Sequence, residues 1–328
     1  MKKFINNPDN ITAELLEGMC MAYSQKVTLD GKLVCRANPK SEDKVAIVTL
    51  GGTGHEPALQ GWVGDGMIDV CAAGDVWAAP GPPTLLSALE KMNREAGILL
   101  VTLNHAGDVM SAKMAKQMAS MKGIKVNEIL TTEEIRPTEE EQGRGLGGCF
   151  FIYKICGAAA EQGQDLETIT ALAEKINSQM ATIAVLSELA THPSTGGVCG
   201  TLGDDEMEIC AGQHGEGGGV VMPMASSKET AELLAGKIID KLGLTDGDEI
   251  VLCIGGSGKT TVMEQMIAYR DAAKFFESKG IKAVRGLAEE LLTVQEAGGY
   301  QMMALKLDDE MKALWDAPCN TPYYTVSK

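Results

Sequence analysis

The sequence predicts an α/β protein of two domains, each a sheet flanked by helices, with a ligand site at strand-end loops between them. Three observations predict this. Apolar, strand-like runs at 44–50, 97–103 and 249–254 each end in a glycine-rich or polar loop. Helical periodicity resumes beyond these loops. The 328 residues, 45% of them hydrophobic, leave room for two cores. The expected division is 1–186, carrying the His55 and Asp108 loops, and 187–328, carrying the His214 loop.

Charge and composition narrow the function classes. A formal net charge of -16 repels phosphate backbones, and 4% aromatic content supplies few stacking platforms, so nucleic acid is not an expected partner. No apolar run is long enough to cross a bilayer, and the start, Met1-Lys2-Lys3-Phe4-Ile5-Asn6-Asn7-Pro8-Asp9, turns polar before a signal core forms. A cytoplasmic protein without membrane contact is expected. The nine cysteines show no Cys-x-x-Cys pair and no zinc spacing, which reads as reduced thiols and no metal.

In chain order, Asp9 or Asn10 can cap a docking helix to about Tyr23. Strand 44–50 runs into Gly51-Gly52-Thr53-Gly54-His55-Glu56-Pro57, the place where open α/β sheets hold ligands. The spacing is not G-x-G-x-x-G, and the histidine points to acid/base or hydrogen-bonding work. A turn-rich stretch through Gly61, Gly64, Gly66 and Gly74 precedes a helix from Thr84. Strand 97–103 ends in Asn104-His105-Ala106-Gly107-Asp108 before a helix over 109–122. Parallel pairing of these two strands would put His55 and Asp108 at one sheet edge. Asp108 equally reads as a helix cap.

A third strand is expected at 124–130. The acidic stretch Thr131-Thr132-Glu133-Glu134, continuing to Glu139-Glu140-Glu141, reads as a solvated loop around Pro137. Helices are expected over 149–162 and 166–186, and a boundary turn at His192-Pro193-Ser194-Thr195-Gly196-Gly197.

Beyond it, an alternating run over 206–211 feeds Gly212-Gln213-His214-Gly215-Glu216-Gly217-Gly218-Gly219. Such a loop can bring an imidazole and bare backbone against a small ligand, although a lone histidine there more often decorates a surface turn. After a helix from Ser227 and strand 249–254 comes Gly255-Gly256-Ser257-Gly258-Lys259-Thr260-Thr261. It looks like a triphosphate-binding loop, but the required first glycine falls on Cys253, and a glycine-rich helix N-terminus is the commoner meaning. Strands near 281–284 and 300–307 complete the second domain.

Together these segments resemble the substrate-binding K subunits of the dihydroxyacetone kinase family. The resemblance is carried by the His55 and Asp108 loops, by Gly143-Arg144-Gly145 with Gly157-Ala158-Ala159-Ala160-Glu161, and by Glu206-Met207-Glu208 leading to the His214 loop. Leu305-Lys306-Leu307-Asp308-Asp309-Glu310 and Leu314-Trp315-Asp316-Ala317-Pro318 complete it, in family order and spacing.

The resemblance implies that His214 adds through a ring nitrogen to the carbonyl of dihydroxyacetone or a similar short ketose, forming a hemiaminal. It implies that His55 and Asp108 bond the substrate hydroxyls and move the proton, with Gly52, Thr53, Gly54 and Leu103 lining the pocket. It further implies a homodimer. This chain would bind no cofactor. ATP or ADP with Mg would sit on a separate L subunit, and a phosphotransferase-system M subunit could supply the phosphate.

Three positions depart from the family pattern. Leu103 stands where a lysine is usual, Gly217 replaces a proline, and Gly256-Ser257-Gly258-Lys259-Thr260 replaces Gly-Ala-Thr-Pro. These departures leave open another ketose such as a tetrulose, or a non-catalytic, ketose-sensing coactivator of a transcription regulator. A self-sufficient nucleotide-dependent kinase using Lys259 is the third reading.

Overall fold

A computed structural model describes residues 3–138, 142–212, 214 and 219–327. The chain forms two compact units, each discontinuous in sequence. The first comprises Lys2–Thr131, Cys149–Asn177 and Glu310–Lys328, and the second Thr132–Gly148 and Ser178–Asp309.

The first unit is built on a six-stranded mixed sheet of β1 (Val27–Asp30), β2 (Leu33–Arg36), β3 (Ala46–Thr53), β4 (Val70–Val76), β5 (Ile98–Leu103) and β6 (Val126–Thr131), in the order β1-β2-β4-β3-β5-β6. Strands β4, β3, β5 and β6 run parallel, and the β1-β2 hairpin joins antiparallel through β2. Near-continuous apolar runs in β3 and β5 suit strands covered on both faces. On one face, Ala46, Val48, Leu50, Ile98 and Leu100 pack with residues of α2 (Pro82–Lys91) and α3 (Ala106–Met121). Helix α1 (Ile11–Ala22) buries Thr12 and Leu16.

Helix α4 (Cys149–Glu161) is buried from Cys149 to Ala160, as a helix apolar all round must be. Its Tyr153 hydroxyl lies 2.8 Å from that of Thr49 on β3, and Phe150 meets Trp62 and Trp315 edge-on. Lys154 of α4 is buried too. Its Nζ donates to the carbonyls of Leu314 (2.9 Å) and Ala317 (2.7 Å), at the end of α8 (Asp309–Trp315), and burial holds its pKa down. A short ribbon of β13 (Cys319–Asn320) and β14 (Thr325–Val326) lies in the same unit.

Helix α5 spans Leu166–Gln179, shorter than the expected 166–186, because Met180–Glu188 is strand β7. Its run Ala181-Thr182-Ile183-Ala184-Val185 is β-branched in part and buried on both faces. Apolar periodicity cannot separate such a strand from a buried helix. β7 is an inner strand of the second sheet, so the single cut expected after residue 186 would pass through a paired strand.

The second sheet holds β7, β8 (Glu206–Ile209), β9 (Val220–Pro223), β10 (Glu249–Gly256), β11 (Lys282–Glu289) and β12 (Gly298–Lys306), in the order β11-β10-β12-β7-β8-β9. Only β10 and β11 pair in parallel. Ile183, Leu252, Ile254, Met302 and Ala304 share one core with the buried residues of α6 (Ser227–Leu242) and α7 (Val262–Ser278). Both helices open with a capping box, Ser226 with Glu229 and Thr261 with Glu264.

The acidic stretch departs from its expected solvation. Glu133 and Glu134 are each 2% exposed, while Glu139, Glu140 and Glu141 lie outside the described residues. Arg144 compensates Glu134 with a two-pronged contact: Nε reaches Oε2 at 2.7 Å and a terminal nitrogen reaches Oε1, while its backbone N–H donates to Oε2 at 3.0 Å. Charge density alone does not announce a partner ten residues away. Glu133 accepts from Leu146 N–H at 2.7 Å, and burial raises its pKa to about 7.

Candidate functional site

β3 and β5 are adjacent and parallel, so their carboxyl ends open at one edge of the first sheet. His55 follows β3 and Asp108 lies in the first turn of α3, after β5. The structure therefore brings these two loops to a common edge.

The β3 loop is shaped by close backbone approach. A Cβ on Gly52 would lie 2.8 Å from Ala78 N and 3.1 Å from Asp75 O, and Gly54 adopts φ +95° beside Trp77. Gly52→Ala is accordingly expected to lower stability by about 1–3 kcal/mol in denaturant titration, since backbone must shift to admit the methyl group. Glu56 accepts the Gly54 N–H at 2.8 Å, and Trp77 Nε1 donates to the Gly54 carbonyl at 3.3 Å. Burial holds the Glu56 carboxyl above its usual range.

The His55 ring is 6% exposed and stacks near the Trp77 ring, 6.5 Å between centroids. Thr53 is fully buried, and its hydroxyl is already engaged with that of Thr12 at 3.2 Å. Trp77, at φ +56°, is a residue that the sequence alone does not single out. It lies in a stretch whose small and turn-forming residues mask strand β4.

Asp108 does not act as the cap of α3. The N-cap position belongs to His105, with no side-chain capping bond. Asp108 is 8% exposed, and its Oδ1 is buried without a hydrogen-bond partner. Desolvation lifts the carboxyl pKa to about 7. The turn that carries it is fixed by Ser111, whose hydroxyl donates to Pro80 O at 2.7 Å. Leu103, 5% exposed, ends β5 with an apolar side chain. This edge thus combines an imidazole, a carboxyl poised near neutrality and an apolar wall.

In the second unit, β8 and β9 pair with Ile209 opposite Val220, and His214 sits half-buried on the loop between them. Cys210, at φ +60°, anchors the loop through its N–H to Ala184 O at 2.8 Å, and Gly219 N–H donates to Glu208 Oε1 at 3.1 Å. Gln213, Gly215, Glu216, Gly217 and Gly218 lie outside the described residues.

The loop 255–261 is tied into its own unit by backbone and side-chain contacts. Ser257 N–H donates to Gly299 O and Lys259 N–H to Ala297 O, each at 3.0 Å, while the Gly258 N–H faces Glu290. The Lys259 ammonium pairs with Glu188. These three backbone donors, of the kind that cradle phosphate in such loops, are engaged within the unit. Among the described residues, no group of three or more His, Cys, Asp or Glu side chains is placed to hold a metal ion, and no helix is long and apolar enough to cross a membrane. None of the nine cysteines forms a disulfide.

Residues 17–323 match the Dak1 domain. The chain belongs to the Dak1-domain family. Among relatives of this family, the dihydroxyacetone-binding subunit DhaK of PTS-dependent dihydroxyacetone kinase 1 from Listeria innocua is 34% identical over 314 residues, covering 94% of this chain and 95% of the relative. The corresponding DhaK subunit of the PTS-dependent kinase from Lactococcus lactis is 34% identical over 331 residues, covering 99% and 98%. The solved structure of the dihydroxyacetone kinase operon co-activator Dha-DhaQ matches this Dak1-domain chain with a TM-score of 0.90 at 25% identity, over 94% of this chain and 97% of that one.

Proposed function

We propose that this protein is the dihydroxyacetone-binding subunit of a dihydroxyacetone kinase, holding the ketose on His214 while a separate nucleotide-carrying L subunit delivers the phosphoryl group. The observation that carries the reading is Asp108, a buried carboxyl with an unpartnered oxygen and a pKa of about 7 at the sheet edge where the His55 loop also ends. Family membership and the DhaK relatives support the same substrate class.

In this mechanism the pyridine-type nitrogen of neutral His214 attacks the ketone carbon. The carbonyl oxygen takes up a proton and the other ring nitrogen releases one, leaving a neutral hemiaminal. Glycerol has no carbonyl to attack, so covalent capture separates the two where hydroxyl recognition alone discriminates poorly. Asp108, its carboxyl pKa lifted by desolvation to about 7, accepts the proton of the reacting hydroxyl in its ionised form as the phosphoryl group arrives, and His55 bonds a substrate hydroxyl. Protomers are expected to pair as a homodimer.

Mixing the protein with a competent L subunit, its phosphoryl donor and dihydroxyacetone tests the reading, with dihydroxyacetone phosphate as the product measured. A captured ketose that never turns over with any competent L subunit would reject it in favour of a ketose-sensing coactivator. The structural match to Dha-DhaQ is the observation that favours this second reading. Because the Ser257, Gly258 and Lys259 N–H groups are engaged within the unit and the Lys259 ammonium pairs with Glu188, calorimetric titration of the isolated chain with Mg-ATP is expected to give no saturable heat. Micromolar binding abolished by Lys259→Ala would restore the self-sufficient kinase reading.

A further inference from the structure

Tyr300 occupies the same face of β12 as Met302 and Ala304, because side chains on a strand alternate with a period of two. That face meets α6 and α7, where the facing residues include the small Ala231, Ala235, Ala268 and Ala272. A phenol placed there buries its ring readily, but its hydroxyl must find a partner or remain unsatisfied. Tyr300 is 9% exposed, and its hydroxyl oxygen is buried with no hydrogen-bond partner. Burial, reinforced by the negative charge of Asp271, holds the phenol far above its ordinary pKa, so it remains a proton donor.

The tyrosine lines a cavity of about 200 Å³ whose apolar wall includes Val185, Met207, Ala225, Ile267 and Ala268. Several other polar groups at this cavity are engaged, while Ser187 stands at its exposed rim. Thr260 Oγ1 donates to Gly299 O at 2.6 Å, Ser227 Oγ donates to Asp271 at 3.0 Å, and Glu264 is held in the capping box of α7. An apolar cavity of roughly 150 Å³ already admits a benzene-sized guest.

We propose that this cavity is a binding site for a small neutral molecule, with an aromatic or branched hydrocarbon body and one carbonyl-type acceptor that receives the Tyr300 hydroxyl. The volume suits about six to ten non-hydrogen atoms. Anions are disfavoured, because Glu264 and Asp271 stand nearby. The site lies wholly in the second unit and is independent of the ketose reading.

Acetophenone and toluene, which share a ring and differ in the acceptor, are suitable probes for ligand-observed NMR titration of the full chain. Acetophenone is expected to bind saturably. Tyr300→Phe should weaken it about 5- to 10-fold, the size of one hydrogen bond, while changing toluene affinity by less than about 2-fold. Ala225→Leu, which fills the cavity from its half-buried rim, should weaken both probes. The proposal is overturned if wild-type protein binds acetophenone without saturation. Unchanged acetophenone affinity in folded Tyr300→Phe, or unchanged binding of both probes in folded Ala225→Leu, would also overturn it, with circular dichroism establishing the fold of each variant.

Discussion

Replacing His214 with alanine is expected to abolish covalent capture of dihydroxyacetone while leaving the fold intact. The side chain is half-buried on a loop between β8 and β9, and neither strand draws on it for the core. Without the imidazole only hydroxyl contacts remain, each worth about 1 kcal/mol net, so affinity should fall by at least about 100-fold. The variant should also lose its preference for dihydroxyacetone over glycerol. With carbonyl-labelled substrate, ¹³C NMR follows conversion of the ketone carbon to a tetrahedral one. An undiminished tetrahedral signal in His214→Ala would remove this residue from the chemistry.

The second large effect belongs to Asp108→Asn. The adduct should form normally, while turnover with an L subunit drops by roughly 10²- to 10⁴-fold, the usual loss when a general base is removed. The same substitution should make the protein more stable at neutral pH. With a folded pKa of about 7 against about 3.9 in an unfolded chain, Asp108 is protonated in both states below about pH 4 and has no effect there. As pH rises toward 7 the unfolded form ionises first, so stability falls until the folded carboxyl ionises as well. Asparagine removes that penalty, and Asp108→Asn should gain roughly 2–4 kcal/mol at about pH 8 and almost nothing at about pH 4. Full turnover, or equal stability at the higher pH, would place the proton transfer elsewhere.

This opposition between activity and stability explains why the carboxyl is informative. A buried oxygen without a partner is unfavourable for folding, and such an arrangement at a strand-end loop marks Asp108 as a candidate for chemistry. The sequence places Asp108 just after strand 97–103, where capping and catalysis are equally good accounts. His105 at the N-cap and the unpartnered Oδ1 speak against the capping account.

Trp77 and Glu56 show the complementary case. Their contacts with the Gly54 backbone shape the His55 loop, yet the Trp77 contact joins segments more than twenty residues apart and no local spacing encodes it.

Local pattern is enough to give the strand-loop-helix units, the placement of His55 and Asp108 beyond strand ends, and the family. Each follows from apolar periodicity, glycine placement or ordered motifs. Other features emerge only once the chain has folded. Met180–Glu188 is an inner strand, Val70–Val76 lies between β2 and β3, and Glu134 is buried against Arg144. The lysine of the 255–261 loop faces Glu188. In each instance the deciding quantity is burial or a partner supplied by distant chain, and desolvation acts on a group only after that chain has closed over it.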